Sequence, residues 1–229
     1  MQKVNGVPVW GAPLDNAVEQ MAACVPDAEH VALMADHHLG YAVPIGGVLA
    51  YENKVSPSGV GFDIACGNKA VRLDADADHV RTHIAEIMDE IAAAISFGMG
   101  RKNKEPVEAT LFDAPTWDDI PAARALKDTA QAQLGTVGSG NHYVDVFVDG
   151  DEAVWIGVHF GSRGLGHKLA THFIKAGGGK DGMHVAPVLL RMDEELGQQY
   201  WACMELAGEY AYAGRDWVCD RVAGIVGGA

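Results

Sequence analysis

The chain has 229 residues, 48% hydrophobic and 21% charged, so it can bury a substantial core and is not a disordered tract. Its formal net charge of −14 lacks the basic field of a general nucleic-acid binder, so any RNA or DNA must be held by a local site. Cys24, Cys66, Cys203 and Cys219 are too sparse for a disulfide scaffold and fit no zinc-finger spacing. No run is long enough to span a membrane and the opening MQKVNGVPVWGAPLD lacks a signal core, so a reducing, cytoplasmic setting is expected.

In chain order, Val7–Trp10 reads as a short strand or loop, Asp15–Val25 as a helix, and Glu29–Ala35 as a strand running into Asp36-His37-His38. The glycine-rich GYAVPIGGVLAYE that follows predicts irregular β structure. Lys69–Leu73 reads as a strand. His79–Phe97 is the clearest helix, because Val80, Ile84, Ile87, Met88, Ile91 and Ile95 recur at three- and four-residue steps. Gly98–Pro106 is a basic loop holding Lys102 and Lys104, and Thr116–Leu134 is helical. His142–Asp149 alternates as a strand, and Ala153–Val158 is a buried strand ending at His159. A helix then runs through Ile174, Gly177–Gly179 break the chain, Val185–Gly208 is helical, and Glu209–Val226 forms a further helix ending in Gly227–Gly228. Cys24, Cys203 and Cys219, with Trp201, Trp217 and Met204, are expected as packing residues. Strands mixed with helices predict an α/β (α+β) fold, mixed sheets flanked by helices.

Three glycine-flanked stretches carry chemistry. In VSPSGVGFDIACGNKAVR, Asp63 and Cys66 lie three residues apart and can face one ion if the chain turns between them. A soft thiolate with a hard carboxylate suits manganese, zinc or iron better than calcium or magnesium. The other reading is a buried cysteine beside a turn aspartate. In TVGSGNHYVDV, Gly138 and Gly140 deliver Asn141 and His142 to a strand start. That is either an anion-cradling loop with a metal-ligating imidazole or a plain turn before a strand. In VHFGSRGLGHK, His159 ends a strand, and Ser162 and Arg163 occupy a strand–loop–helix junction of the kind that binds phosphate. Arg163 can equally cap a turn. Asp36 either orients a metal-bound histidine or sits in a solvated loop; His37 and His38, adjacent on extended chain, point opposite ways. Asp63, Cys66, His142 and His159 share one feature: each sits at a glycine-flanked strand end, where a site can form at a sheet edge.

These segments together resemble the RtcB family of RNA-splicing and RNA-repair ligases. The matching pieces are MADHHLGYAVPIGGV, VSPSGVGFDIACG, GTVGSGNHYVDV and VHFGSRGLGH. The resemblance implies a GTP- and manganese-dependent enzyme that joins an RNA 3′-phosphate or 2′,3′-cyclic phosphate to a 5′-hydroxyl through a guanylylated histidine, with broken or spliced tRNA-class RNA ends as partners. Carried over, Cys66 is the thiolate bridging two Mn2+ ions, Asp63 and His142 complete one ion's protein ligands, and His159 binds the other. Asn141 matches the asparagine that contacts the guanylate, and Asp145 stands where the family has a glutamate near the nucleotide. Asp36 matches the acidic residue of the family's D-V-H segment, with His37 in place of the valine. Residues 1–229 are expected as one RtcB-like core domain lacking the family's C-terminal part, with no counterpart after Arg191 for the guanylylated histidine. That implies a truncated or split ligase, whose missing part a second chain supplies, or a short relative. The alternatives are a metal-binding, non-ligating subunit and a metal-dependent phosphoesterase.

Overall fold

A computed structural model describes residues 1–104 and 106–227. In chain order its strands and helices are β1 (Gln2–Val4), β2 (Val7–Val9), α1 (Asp15–Cys24), β3 (His30–His38), β4 (Ile45–Ala50), β5 (Lys54–Val55), α2 (Pro57–Val60), β6 (Gly67–Leu73), α3 (Ala77–Ala94), α4 (Thr116–Asp119), α5 (Pro121–Arg124), α6 (Lys127–Gln133), β7 (Tyr143–Val148), β8 (Val154–Phe160), α7 (Arg163–Ala176), β9 (Leu190–Arg191) and α8 (Glu195–Val226). The α/β class is as expected. The chain divides into two compact units, Met1–Phe62 with Lys168–Ala202, and Asp63–His167 with Cys203–Ala229. Glu105, within the expected basic loop, and Gly228, at the expected end of the last helix, lie outside the described residues.

The first unit is built on a four-stranded sheet in the order β1-β2-β3-β4. Asn5 and Gly6, at φ 50° and 84°, make the left-handed hairpin turn that an Asn-Gly pair favours, which adds β1 to the expected β2. Strand β3 continues past Ala35 to His38 through an irregularity between Leu33 and His38. Helix α1 packs Ala17, Val18, Met21 and Cys24 on Val7, Val9, Leu33 and Val43. His37 is buried and His38 exposed, the opposite orientations expected of neighbours on a strand. The His37 ring is fixed by backbone: Nδ1 donates to the Met34 carbonyl (2.6 Å), and Nε2 accepts from the Leu14 N–H (3.1 Å).

The second unit holds a three-stranded antiparallel sheet in the order β6-β8-β7. Its inward residues Leu73, Val144, Val154, Ile156, Val158 and Phe160 form one core with Val80, Ile87 and Ile91 of α3 and Val218, Cys219, Val222 and Val226 of α8. Of the predicted apolar stripe of α3, Val80, Ile87, Ile91 and Ile95 face the core, whereas Ile84 and Met88 are exposed, and the helix starts where the Asp76 side chain accepts from the Asp78 N–H (3.0 Å).

The helical region expected over Thr116–Leu134 is made of three helices, α4, α5 and α6, with Ile120, before Pro121, in extended backbone between the first two. Two expectations need correction. Residues 185–194 are not helical: Pro187 lies there, and Leu190–Arg191 instead pair with Lys54–Val55. The two expected C-terminal helices are one, α8, running through Gly208 unbroken. Cys24, Cys203 and Cys219 are buried as expected, whereas Trp201 is 41% exposed and is no core residue. No helix among the described residues is long and apolar enough to cross a membrane.

The β7–β8 hairpin closes over Asp149. Its carboxylate accepts from the Asp151 and Ala153 N–H groups (both 2.9 Å) and from Trp155 Nε1 (2.7 Å). The Trp155 bond, then the Ala153 bond, holds its pKa below the ordinary carboxylate value. The stabilisation is present above the unfolded-state value and is lost as pH falls through the lower folded-state value. Asp149→Ala should therefore lower the urea midpoint at neutral pH, and its difference from the parent should shrink steadily on acidification.

Candidate metal centre

The site starts from the Asp63–Cys66 turn, which closes when the Cys66 N–H donates to the Asp63 carbonyl (2.9 Å). The turn requires Ala65 at φ 55°, a left-handed conformation that costs about 1–2 kcal/mol in a residue with a Cβ. Such strain persists only where surrounding contacts fix it. Here the Ser162 N–H donates to the Ile64 carbonyl (3.1 Å) and the Arg163 N–H to Asp63 Oδ1 (3.2 Å). Gly161 permits this approach, because a Cβ there would lie 2.6 Å from the Asp63 carboxylate.

The antiparallel sheet then gathers the remaining donors. Cys66 immediately precedes β6, His142 immediately precedes β7, and His159 lies one residue before the end of β8. In an antiparallel order β6-β8-β7, two strand starts and the central strand's end fall on one edge. Register places Asn68, His159 and Tyr143 in one row across the sheet. As a result Cys66 Sγ is 3.4 Å from His159 Nε2 and 3.6 Å from His142 Nε2, and His142 Nε2 is 2.9 Å from Asp63 Oδ2. One donor atom each from Asp63, Cys66 and His142 lies within 4.8 Å of the others.

Neighbouring groups set the two rings differently. His159 Nδ1 donates to Asn68 Oδ1 (2.6 Å), which also accepts from the Tyr143 hydroxyl (3.0 Å). The Tyr143 ring stacks on His159, with centroids 5.6 Å apart and planes at 15°. His159 Nε2 is thereby left as a lone pair facing the thiol, the tautomer that a metal ligand needs. At His142, Arg163 Nη1 donates to Nδ1 (3.3 Å), so Nε2 carries the proton shared with Asp63. Burial, opposed by the Asp63 charge, keeps the His142 pKa below its ordinary value, so the ring is neutral. Burial of the sulfur and the adjoining Asp63 carboxylate push the Cys66 thiol up to about 12. The group is thus protonated at neutral pH, and a cation entering it displaces protons.

The other expected residues divide. Asn141 joins the group, its Nδ2 3.2 Å from His159 Nε2. Asp145 is exposed on β7, opposite Gly157 in the register. Arg163 turns its guanidinium to His142 and to Thr136 Oγ1 (3.4 Å). Ser162 is fully buried, and its hydroxyl has no hydrogen-bond partner among the described residues. Asp36 is exposed on β3, in the first unit. Asn68, Tyr143, Thr136 and Arg215 were not singled out from the sequence. The only signal for Asn68 and Tyr143 is that they lie within two residues of Cys66 and His142 at strand starts, which becomes informative once the register is known.

A thiol, a carboxylate and two imidazoles so clustered fit a borderline first-row divalent ion. His142 would have to carry its proton on Nδ1 to offer Nε2, and Arg163 would then give up its contact there. Two outcomes follow. Titrating the protein with Mn2+ or Co2+ in buffers of different ionisation enthalpy should show release of about one proton per ion, from Cys66, and affinity rising with pH. Asn68→Ala should weaken binding on the order of 10–100-fold, since it frees the His159 ring; equilibrium dialysis checks it.

A sequence profile described as "tRNA-splicing ligase RtcB" matches residues 18–118 and 112–228. The chain is similar to the tRNA-splicing ligase RtcB of Thermococcus kodakarensis, with 30% identity over 263 aligned positions, covering 91% of this chain and 55% of that protein. It is likewise similar to the tRNA-splicing ligase RtcB of Archaeoglobus fulgidus, at 30% identity, covering 93% of this chain and 56% of that protein. The RNA-splicing ligase RtcB of Escherichia coli is 34% identical over 160 positions, covering 64% of this chain and 39% of that protein. The chain spans about half the length of the two archaeal relatives. With the profile running over most of its residues, this chain belongs to the RtcB family.

Proposed function

We propose that the chain carries the metal-holding core of an RNA-joining enzyme that unites 3′-phosphate or 2′,3′-cyclic phosphate ends with 5′-hydroxyl ends in the cytoplasm, using GTP and Mn2+. The observation that carries this reading is the convergence of Asp63, Cys66, His142 and His159 on one sheet edge. Asp63, Cys66 and His142 would hold one ion, and Cys66 with His159 a second. Bound there, two divalent ions would neutralise phosphate charge and align in-line displacement at phosphorus. Around them, the Asn141 amide, next to His159, would donate to a phosphate oxygen, and Asp145, exposed on β7, would accept from a guanine. Arg163, once released from His142 Nδ1, would offer two parallel donors to a phosphate. Residues 1–229 are read as one catalytic core.

A second reading has its own observation. Both imidazoles at the site are committed, His159 Nδ1 to Asn68 and His142 Nε2 to Asp63. The other histidines of this unit are elsewhere: His79 and His83 stack on each other along α3, and His167 lies within α7. In this reading a second chain supplies the histidine that takes the guanylate, by nitrogen attack on the α-phosphorus of GTP with loss of pyrophosphate.

The test is to supply the protein with Mn2+, phosphate-labelled GTP and RNA bearing 3′-phosphate and 5′-hydroxyl ends. Joining that disappears in Cys66→Ala, together with Mn2+ binding, is the expected result. Metal binding unchanged in Cys66→Ala overturns the site. A covalently labelled band from this chain alone refutes the second-chain reading, and phosphate release without joining would make the protein a phosphoesterase.

A further inference from the structure

Arg215 lies on α8 with 3% of its surface exposed, and no carboxylate pairs with it among the described residues. A buried guanidinium without a counter-anion is costly unless its donors are well used. Here one nitrogen, Nη1, donates to two carbonyls, Ala65 (2.9 Å) and Phe160 (2.5 Å). These belong to the residue immediately before Cys66 and the residue immediately after His159. The first is also the strained residue of the turn, at φ 55°. The Tyr212 ring, 4.9 Å from the guanidinium carbon, covers the cation. Helix α8 comes close enough for this because Gly214 faces Phe160, where a Cβ would lie 3.2 Å from the ring.

We infer that Arg215 is a positioning residue, a two-carbonyl clamp that fixes the spacing between Cys66 and His159 and so builds the bridging part of the metal centre from behind. This rests on the reading of Cys66 and His159 as ligands. The clamp adds a side-chain tie between two segments 95 positions apart in numbering (160 − 65), which the Ser162 N–H to Ile64 carbonyl bond and the β6–β8 pairing of Gly67 with Phe160 also join. A surface arginine replaced by lysine would give the same fold and site. A buried clamp would not, because lysine keeps the charge but not the planar guanidinium placement.

The experiment uses the full chain with Arg215→Met and Arg215→Lys, and two readouts. The first is Co2+ binding followed by the thiolate-to-cobalt charge-transfer band, whose origin is established by its loss in Cys66→Ala. Arg215→Met should weaken Co2+ binding at least ten-fold and displace or abolish the band, and Arg215→Lys should restore part of both. An unchanged affinity and band in Arg215→Met overturns the proposal. The second is amide hydrogen exchange on the metal-free protein. Arg215→Met should exchange faster over residues 64–67 and 160–162 together while the β7–β8 hairpin keeps its protection; no selective change overturns it. If Arg215→Met does not fold, Arg215→Lys decides by the same exchange criterion. If the parent shows no charge-transfer band, the metal reading of Cys66 fails, and exchange still decides the clamp by itself.

Discussion

The antiparallel register in which Asn68, His159 and Tyr143 share a row underlies the rest of the candidate centre. Register in a strand pair is all or none: a slip of one residue would turn His159 into the core and send Val158 or Phe160 to solvent. The apolar inner face of β8, with Val154, Ile156, Val158 and Phe160 buried against α3 and α8, forbids that slip. The packing of the core therefore fixes where the imidazole stands. Burial of each of these side chains, worth about 1.5–3 kcal/mol, secures a geometry that the polar side alone could not hold.

On the polar side, the metal-free site keeps the proton on Cys66 and a neutral ring at His142, whose Nε2 proton bridges to Asp63. Arg163 and Arg215 bring positive charge from two sides, Arg163 to the His142 ring and Arg215 to the carbonyl of Ala65. A divalent ion entering such a site exchanges protons for a cation, which limits the net change in charge. The same arrangement lets the protein hold a strained Ala65 without glycine, because the turn is tied at Ile64 by Ser162 and at Ala65 by Arg215.

Local patterns in the sequence were informative where one segment decides its own structure. The stripe from Val80 to Ile95 specifies α3, alternation specifies β7 and β8, and the Asp63–Cys66 spacing with its glycines points to a turn. Local pattern does not specify the structure where a distant partner decides it. Val185–Gly208 looked helical on composition, but residues 190 and 191 pair with β5. Two helices are expected to meet between Gly208 and Glu209, yet α8 is continuous there, because tertiary packing outweighs the roughly 1 kcal/mol helix penalty of one glycine. Trp201 is expected to pack, but its position on α8 leaves it 41% exposed.

The candidate centre shows the same division. The sequence by itself determined the donor types and that Cys66, His142 and His159 lie at strand ends, with Asp63 in the turn before one, because thiol, carboxylate and imidazole chemistry and glycine flanks are local properties of these residues. Only the tertiary structure decided that these ends meet, because strand order and direction are set by packing between segments as much as 96 residues apart in numbering (159 − 63). It alone decided the tautomers, which depend on Asn68 and Arg163 reaching the rings across the sheet and the loop. And it alone revealed Arg215, whose role comes from two backbone carbonyls, groups that every residue carries and that no sequence pattern can distinguish.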